Sequence, residues 1–273
     1  RSLIGVRYIY HENFKNHATP NVALMYKPGK FNFRASYAAG FRTPTLSELY
    51  ATDIAKKNDR LTIGNLDLKP EKNNYFSLSA EYVHERFSVS VNAFYNNIRD
   101  MIDYNTIATG DKAMEQYGHK EVRQRDNIAE AKVHGINVSA NAYLGAGFNL
   151  SGGYTHLNTQ DVELEQPIDK SIKNAYNINA QWAHSWKIYR LNINLNGRFN
   201  SKRFSKSYGY APEYQLWDLN TRHSFNLKSV IIEPGCGMEN LFDYMDDRPY
   251  NSNYATLTPG RSFYISLSLK FKS

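Results

Sequence analysis

The sequence contains a single cysteine, Cys236, so no disulfide can form within the chain, and its apolar-polar surroundings indicate an unreactive structural thiol. No apolar run approaches the ~18 residues that a membrane helix requires, and the mean hydropathy is −0.61. Taken alone, this hydropathy is typical of soluble proteins. A membrane β-barrel, however, alternates apolar with polar residues, so low hydropathy does not exclude one.

Sequence motifs of catalysis are also missing. The chain has no G-x-S-x-G, no H-E-x-x-H, no Walker loop and no Cys and His set at zinc spacing. We therefore predict a protein that is not an enzyme and that has no intrinsic cofactor or bound metal. The formal charge of +7 is spread along the chain without a dense basic run, which argues against nucleic acid as a partner.

The dominant pattern in the chain is a period of two, with apolar residues on one face of each segment. The opposite face carries Ser and Asn more than Lys and Glu, which suits a hydrated interior better than a surface in bulk solvent. In the last segment the apolar face is Phe263, Ile265, Leu267, Leu269 and Phe271, and the polar face is Ser262, Tyr264, Ser266, Ser268 and Lys270. Aromatic residues near the segment ends would form girdles at two membrane interfaces.

The connections between these segments alternate in length. Short turns are predicted near 27–30, 84–86, 145–147, 185–187 and 228–229, and longer connections near 11–17, 42–70, 99–125, 159–172, 201–213 and 241–259. They separate about twelve strands, and no helix is predicted. The pattern predicts an all-β protein, an antiparallel transmembrane β-barrel with short turns at one rim and long loops at the other. A soluble β-sandwich is the alternative, but its loops do not sort in this way.

Four short motifs occur in order along the chain: FRTP at 41–44, GNLDLKPE at 64–71, ENLFD at 239–243 and PGR at 259–261. The first two resemble the paired FRAP and NPDL boxes of TonB-dependent outer-membrane receptors. The last two resemble the segments around the final hairpin of the same family. The sequence departs from the family pattern at Thr43, where the box has alanine, and at Leu66, where it has proline. Two residues also follow Phe271, which is usually terminal in the family.

The resemblance implies that residues 1–273 are the C-terminal portion of a 22-stranded barrel whose plug domain is absent from this chain. It also implies a bacterial outer-membrane location and contact with outer-membrane lipid and lipopolysaccharide. Such receptors take up scarce nutrients with energy from the TonB protein, which would contact the absent N-terminal region. A surface lipoprotein is a possible further partner. The implied function is uptake of an iron complex, a ferric siderophore or haem.

The long segment 41–71 is the predicted binding loop. It holds a set of cations that we interpret as a positive excess able to attract a ligand with carboxylates or phosphates. A tyrosine adds a flat contact surface. The candidate ligand-binding residues in this segment are Arg42, Tyr50, Lys56, Lys57 and Arg60. Each cation has the alternative of a solvated or lipopolysaccharide-contacting charge, and Arg42 that of a structural anchor at the rim.

Haem receptors with these two boxes commonly carry a histidine between them, and this sequence has none from Phe41 to Glu71. His119 and Tyr117 in the next long loop, or Tyr50, are the candidate axial ligands if the nutrient is haem. A cobalamin receptor of the same family is an alternative function. A passive or adhesive barrel of about twelve strands, closed on itself, is a second.

Overall fold

The computed structural model describes residues 1–205, 209–246 and 259–272 of the chain. Strands account for most of it, with two short helices. In chain order the elements are β1 (Ser2–His11), β2 (Lys15–Tyr26), β3 (Phe31–Arg42), α1 (Leu46–Tyr50), β4 (Thr52–Ala55), β5 (Arg60–Ile63), β6 (Glu71–Val83), β7 (Phe87–Thr109), α2 (Gly110–Tyr117), β8 (Glu121–Gly145), β9 (Phe148–Asp161), β10 (Asn174–Trp186), β11 (Tyr189–Asn200), β12 (Arg203–Ser205), β13 (Gly209–Ala211), β14 (Tyr214–Asn226), β15 (Val230–Glu239) and β16 (Ser262–Phe271).

Twelve of these strands form one continuous antiparallel wall. Their order is β1-β2-β3-β6-β7-β8-β9-β10-β11-β14-β15-β16, so each wall strand pairs with the wall strand next to it in sequence. The predicted meander of about twelve strands is confirmed. Within the described residues the first and last strands do not pair with each other, so the wall is an open section of barrel. The strand pairing therefore does not support the alternative of a closed twelve-stranded barrel.

The two faces of the wall have the predicted chemistry. Leu267 pairs with Pro234 and Ile265 with Cys236, and this face leaves large apolar side chains exposed, Leu267 at 65%. The opposite face joins strands through polar pairs. Ser36 and Ser77 lie 2.7 Å apart, as do Ser90 and Ser139, and the amide of Asn179 donates to Asn194 at 2.6 Å. We call the polar face the inner face.

Aromatic side chains form a band at the rim where the short turns lie. Phe31 contacts Tyr82 at a centroid distance of 4.9 Å, and Tyr82 contacts Phe87 at 5.6 Å. Farther along the wall, Trp186 stacks on Tyr189 at 5.6 Å. Such girdles mark the level at which amphipathic rings meet the membrane interface. No helix within the described ranges is long and apolar enough to cross a membrane.

The connections sort by rim as predicted, with differences in detail. The first one is a turn of only three residues, 12–14, although it lies at the same rim as the long loops. The predicted loop 99–125 is mostly strand, because β7 and β8 continue as a two-stranded ribbon to Thr109 and Glu121. Most of the predicted loop 241–259, residues 247–258, lies outside the described residues. We call the rim that carries these connections the long-loop rim.

Two helices interrupt the long-loop rim, and the prediction of no helix was wrong. Helix α1 begins with a capping box, in which Thr45 accepts from the backbone of Glu48 and the Glu48 carboxylate accepts from the backbone of Thr45. Helix α2 ends at Gly118, whose left-handed conformation (φ 71°) stops it. Both helices are too short for a hydrophobic periodicity to reveal them, but both carry terminal signals in the sequence.

Candidate functional site

Arg42 is the last residue of β3 and anchors the start of segment 41–71, which we call the long loop. Its guanidinium donates to Glu71 through Nε at 2.8 Å and to Glu48 through Nη1 at 2.9 Å. The two carboxylates are largely covered, with side-chain exposures of 16% and 12%. A single arginine therefore joins the last residue of β3, the first residue of β6 and helix α1, because its planar fork can serve two carboxylates at once.

These contacts shift the ionisation of all three groups. Hydrogen bonds to Glu71 and then to Glu48 raise the pKa of Arg42 further above its usual range. Partial burial acts to raise the pKa of Glu48 and of Glu71, but hydrogen bonds outweigh it. Arg42 and Thr45 lower the pKa of Glu48, while Arg42 and the backbone of Ile102 lower that of Glu71. The anchor is therefore fully charged near neutral pH.

The NPDL-like motif at residues 64–71, which we call the second box, packs against helix α1 with the two backbones in close contact. A side chain on Gly64 would place its Cβ 2.5 Å from the carbonyl oxygen of Leu49, so only glycine fits there. Behind this contact, Leu49, Leu68 and Ile102 form a buried apolar cluster to which Phe14 adds from the β1–β2 turn. Helix, box, ribbon and turn are thereby packed into one unit.

Asn127 on β8 fixes the end of the box, and the sequence analysis did not identify it. Its side-chain oxygen accepts from the backbone of Lys69 at 2.7 Å, and its amide donates to the carbonyls of Lys69 at 2.9 Å and Asp100 at 2.6 Å. Asp100 has a left-handed backbone (φ 55°) beside an irregularity in the β7–β8 pairing. A single asparagine has many roles in proteins, so sequence alone does not single out Asn127.

The middle of the long loop forms a hairpin that joins the neighbouring ribbon. Strand β5 pairs with β4 on one side and runs parallel to β8 on the other, with Leu61 opposite Val122. Leu61, Val122 and Ala113 form a second buried cluster, and Tyr117 packs against it. Nδ1 of His119 lies 2.8 Å from Oδ1 of Asp59. Two loops that are separate in sequence are therefore one structural unit.

The structure brings five of the seven predicted site residues together and keeps two apart. Arg60 begins β5, and Lys56 and Lys57 stand exposed in the turn before it. Tyr117 and His119 lie beside this hairpin. The two that lie elsewhere in the loop are Tyr50, 62% exposed at the end of α1, and Arg42 in its carboxylate anchor.

The predicted positive excess of segment 41–71 was wrong, because the segment contains as many carboxylates as cations. Its five cations are matched by five carboxylates, Glu48, Asp53, Asp59, Asp67 and Glu71. Contacts then divide the charges unevenly, because Arg42 is neutralised by two of the carboxylates. Lys56 and Lys57 make no ion pair with any residue that the structure describes. Lys69 is exposed as well, so an anion would meet these local charges rather than the net charge of the segment.

A cavity of about 480 Å³ opens between the β1–β2 turn, helix α1 and the second box. Phe14, Leu49 and Leu68 supply its apolar wall, and Lys15, Tyr50 and Lys69 are among its other lining residues. Its volume is within the ~300–1,000 Å³ usual for small-molecule sites. Of the predicted site residues, Tyr50 alone lines it.

A family model described as TonB dependent receptor-like, beta-barrel matches residues 2–241 of the chain. This range contains all wall strands except the last.

Several solved structures share the fold. The ferric enterobactin receptor PfeA of Pseudomonas aeruginosa, in a mutant form, superposes with a TM-score of 0.78 at 20% identity, over 99% of this chain and 42% of that one. The siderophore receptor PirA of Acinetobacter baumannii gives 0.76 at 17% identity, over 99% and 43%. The ferric preacinetobactin receptor BauA of the same organism gives 0.67 at 18% identity, over 94% and 36%. The chain thus spans less than half the length of these proteins.

Proposed function

This chain belongs to the TonB-dependent receptor-like β-barrel family, and on that premise we propose that it forms part of an outer-membrane receptor that takes up a ferric siderophore. The observation that carries the proposal is the family match over residues 2–241. The similar folds of three receptors named for ferric siderophores or for siderophores support it. Energy would come from TonB, acting on parts of the receptor outside this chain.

The long-loop rim has properties that suit capture of a ferric siderophore. Exposed Lys56 and Lys57 offer unpaired positive charge, and many ferric siderophores are anionic. The anchors at Arg42 and Asn127 hold the loop in a defined shape, so little conformational entropy remains to be lost on binding. In this proposal the long-loop rim faces the exterior of the cell, and the inner face of the wall lines the transport path.

Haem is a second candidate, and one observation favours it. Asp59 contacts Nδ1 of His119 at 2.8 Å, an arrangement that leaves the Nε2 of this ring as the coordinating atom. Tyr117 is close by in sequence but packs into the apolar cluster with Leu61 and Val122. His119 is therefore the better axial candidate of the two.

The proposed function is tested by transport in cells that lack their own receptors. Cells that produce the full-length receptor containing this chain would be supplied with radioactive iron as a ferric siderophore or as haem. We expect iron uptake from the siderophore, and loss of that uptake when TonB is deleted. Uptake from haem alone would favour the second candidate, and no TonB-dependent uptake of either would refute an energised receptor.

A further inference from the structure

We propose that the cavity between the β1–β2 turn and the second box is a subsite for an aromatic ring that carries anionic oxygens, such as an aryl arm of the transported iron complex. This inference rests on the proposed function for the identity of the whole ligand. The cavity joins the predicted binding loop 41–71 to the β1–β2 turn, and the sequence analysis did not assign that turn to a site.

The wall of the cavity favours a flat apolar group. Phe14, Leu49 and Leu68 belong to the buried cluster, so their positions are fixed by packing. Tyr50, which is 62% exposed, presents an aromatic ring at the same cavity. A ring entering here would cover apolar surface and gain contacts with Tyr50 and Phe14.

Two lysines give the cavity its preference for an anion. Lys15 and Lys69 both line it, and Asp67 is the one carboxylate among the residues that line it. Lys69 projects from a backbone that Asn127 fixes on both sides, through bonds of 2.7 and 2.9 Å. The Cα of Lys69 is therefore held in place, and less conformational entropy is lost when its ammonium group binds an oxyanion.

Lys15 occupies a backbone position where a side chain is unfavourable. It has φ 63°, the left-handed conformation that follows a three-residue hairpin turn and that normally belongs to glycine. Lys170 and Lys187 have the same left-handed backbone, so the conformation by itself assigns no role to the Lys15 side chain, and the argument for Lys15 is its place in the lining of the cavity.

The left-handed backbone of Lys15 allows a substitution that should preserve the fold. Lys15→Gly removes the side chain at a position that glycine adopts without strain. Lys170→Gly is the matched control, because Lys170 also has a left-handed backbone (φ 65°) and lies in another connection of the long-loop rim. Lys69→Gln is a second test, since it removes the charge and leaves the backbone contacts of Asn127 unchanged.

Binding would be measured on the full-length receptor with two ferric siderophores, one with anionic catecholate arms and one with aliphatic hydroxamate arms. We expect Lys15→Gly and Lys69→Gln each to raise the Kd of the catecholate complex about fivefold at low salt, the effect of one partly exposed charge contact. The hydroxamate complex, and Lys170→Gly with either ligand, should change less than twofold.

A fragment measurement separates failure of the subsite from failure of the proposed function. Benzoate should give saturation-transfer NMR signals with the receptor that weaken in Lys15→Gly, whereas cyclohexanecarboxylate and benzyl alcohol should give weaker ones. Benzoate binding of this kind in a receptor that binds no siderophore would keep the subsite and refute the proposed function. Unchanged catecholate and benzoate binding in both lysine variants of a siderophore-binding receptor would overturn the subsite alone.

Discussion

The imidazole Nδ1 of His119 lies 2.8 Å from Oδ1 of Asp59, although 60 residues separate them in sequence. This contact joins the turn that carries Lys56 and Lys57 to the connection after helix α2. Backbone pairing of β5 with β8 lies directly beside it. The turn with the exposed Lys56 and Lys57 is therefore held by the neighbouring ribbon as well as by its own β4–β5 hairpin.

The first prediction concerns this contact. Asp59→Asn should weaken the attachment of the hairpin while leaving the wall intact, because the two groups lie outside the twelve-stranded sheet. We expect faster amide hydrogen exchange at Arg60–Ile63 and unchanged exchange in β14 and β15. Asp53→Asn, in the same hairpin, serves as the control. Unchanged exchange at Arg60–Ile63 would mean that strand pairing with β8 alone holds the hairpin.

The second prediction concerns the anchor at Arg42. Arg42→Gln leaves Glu48 and Glu71 close together and unneutralised, and we expect it to destabilise the loop by about 1–2 kcal/mol. The value is lower than for a buried pair because the Arg42 side chain is 44% exposed. Limited proteolysis between Leu46 and Lys69 should become faster. Arg42→Lys should be intermediate, since an ammonium group cannot serve both carboxylates bidentately.

The third prediction is the pH dependence of the same anchor. Glu48 and Glu71 have pKa values below their usual range when folded. Their contribution to stability is therefore present above the unfolded pKa of about 4.3 and is lost as the pH falls through the lower folded values. Protease resistance of the loop should be constant from neutral pH to about 5 and then decline. A decline that begins above pH 6, or one that persists in Arg42→Gln, would contradict this assignment.

The fourth prediction tests the apolar face of the wall. Leu267→Arg should reduce the stability of the folded receptor by about 2–4 kcal/mol if the position lies near the bilayer midplane. Ser266→Arg is its control, because the neighbouring residue faces the hydrated inner face. Folding into lipid bilayers, followed by denaturant titration, measures both. Equal effects of the two substitutions would argue against a lipid-facing Leu267.

The fifth prediction concerns the exposed lysines. Replacing Lys56 and Lys57 with glutamine should lower the association rate of an anionic ferric siderophore roughly threefold at low salt, with a smaller change at high salt. As the control, glutamine replaces Lys187 and Lys228, which lie in turns at the opposite rim, so that the same amount of charge is removed. Stopped-flow kinetics should show no effect of that control pair, and equal effects of both pairs would indicate general charge attraction only.

The wall was predictable because its signals are local. Alternation with a period of two assigns each side chain to a face, and the turn residues separate the strands at the observed spacing. Pairing then follows from a meander in which each wall strand meets its neighbour in sequence. The boxes identified the loop with its two ends, and the structure adds that Arg42 joins those ends through Glu71.

The interior of the site was not predictable for the opposite reason. Contacts between Asp59 and His119, between Lys69 and Asn127, and between β5 and β8 join distant segments. No periodicity in sequence encodes such contacts. The extension of β7 and β8 was missed because register shifts near Met101 and Thr106 interrupt the alternation, so the ribbon looks like a loop in the sequence. Local signals did exist for the helices, in the Thr45 to Glu48 capping box and at Gly118.

The most direct test of the central claim is a binding titration of the full-length receptor in detergent with ferric siderophores, haemin and cobalamin in parallel. We predict saturable binding of a ferric siderophore, followed by tryptophan fluorescence, with no saturable response to haemin or cobalamin. Saturation by haemin alone, with a shift of the haem absorption band that is lost in His119→Gln, would contradict the siderophore proposal and assign His119 as the axial ligand.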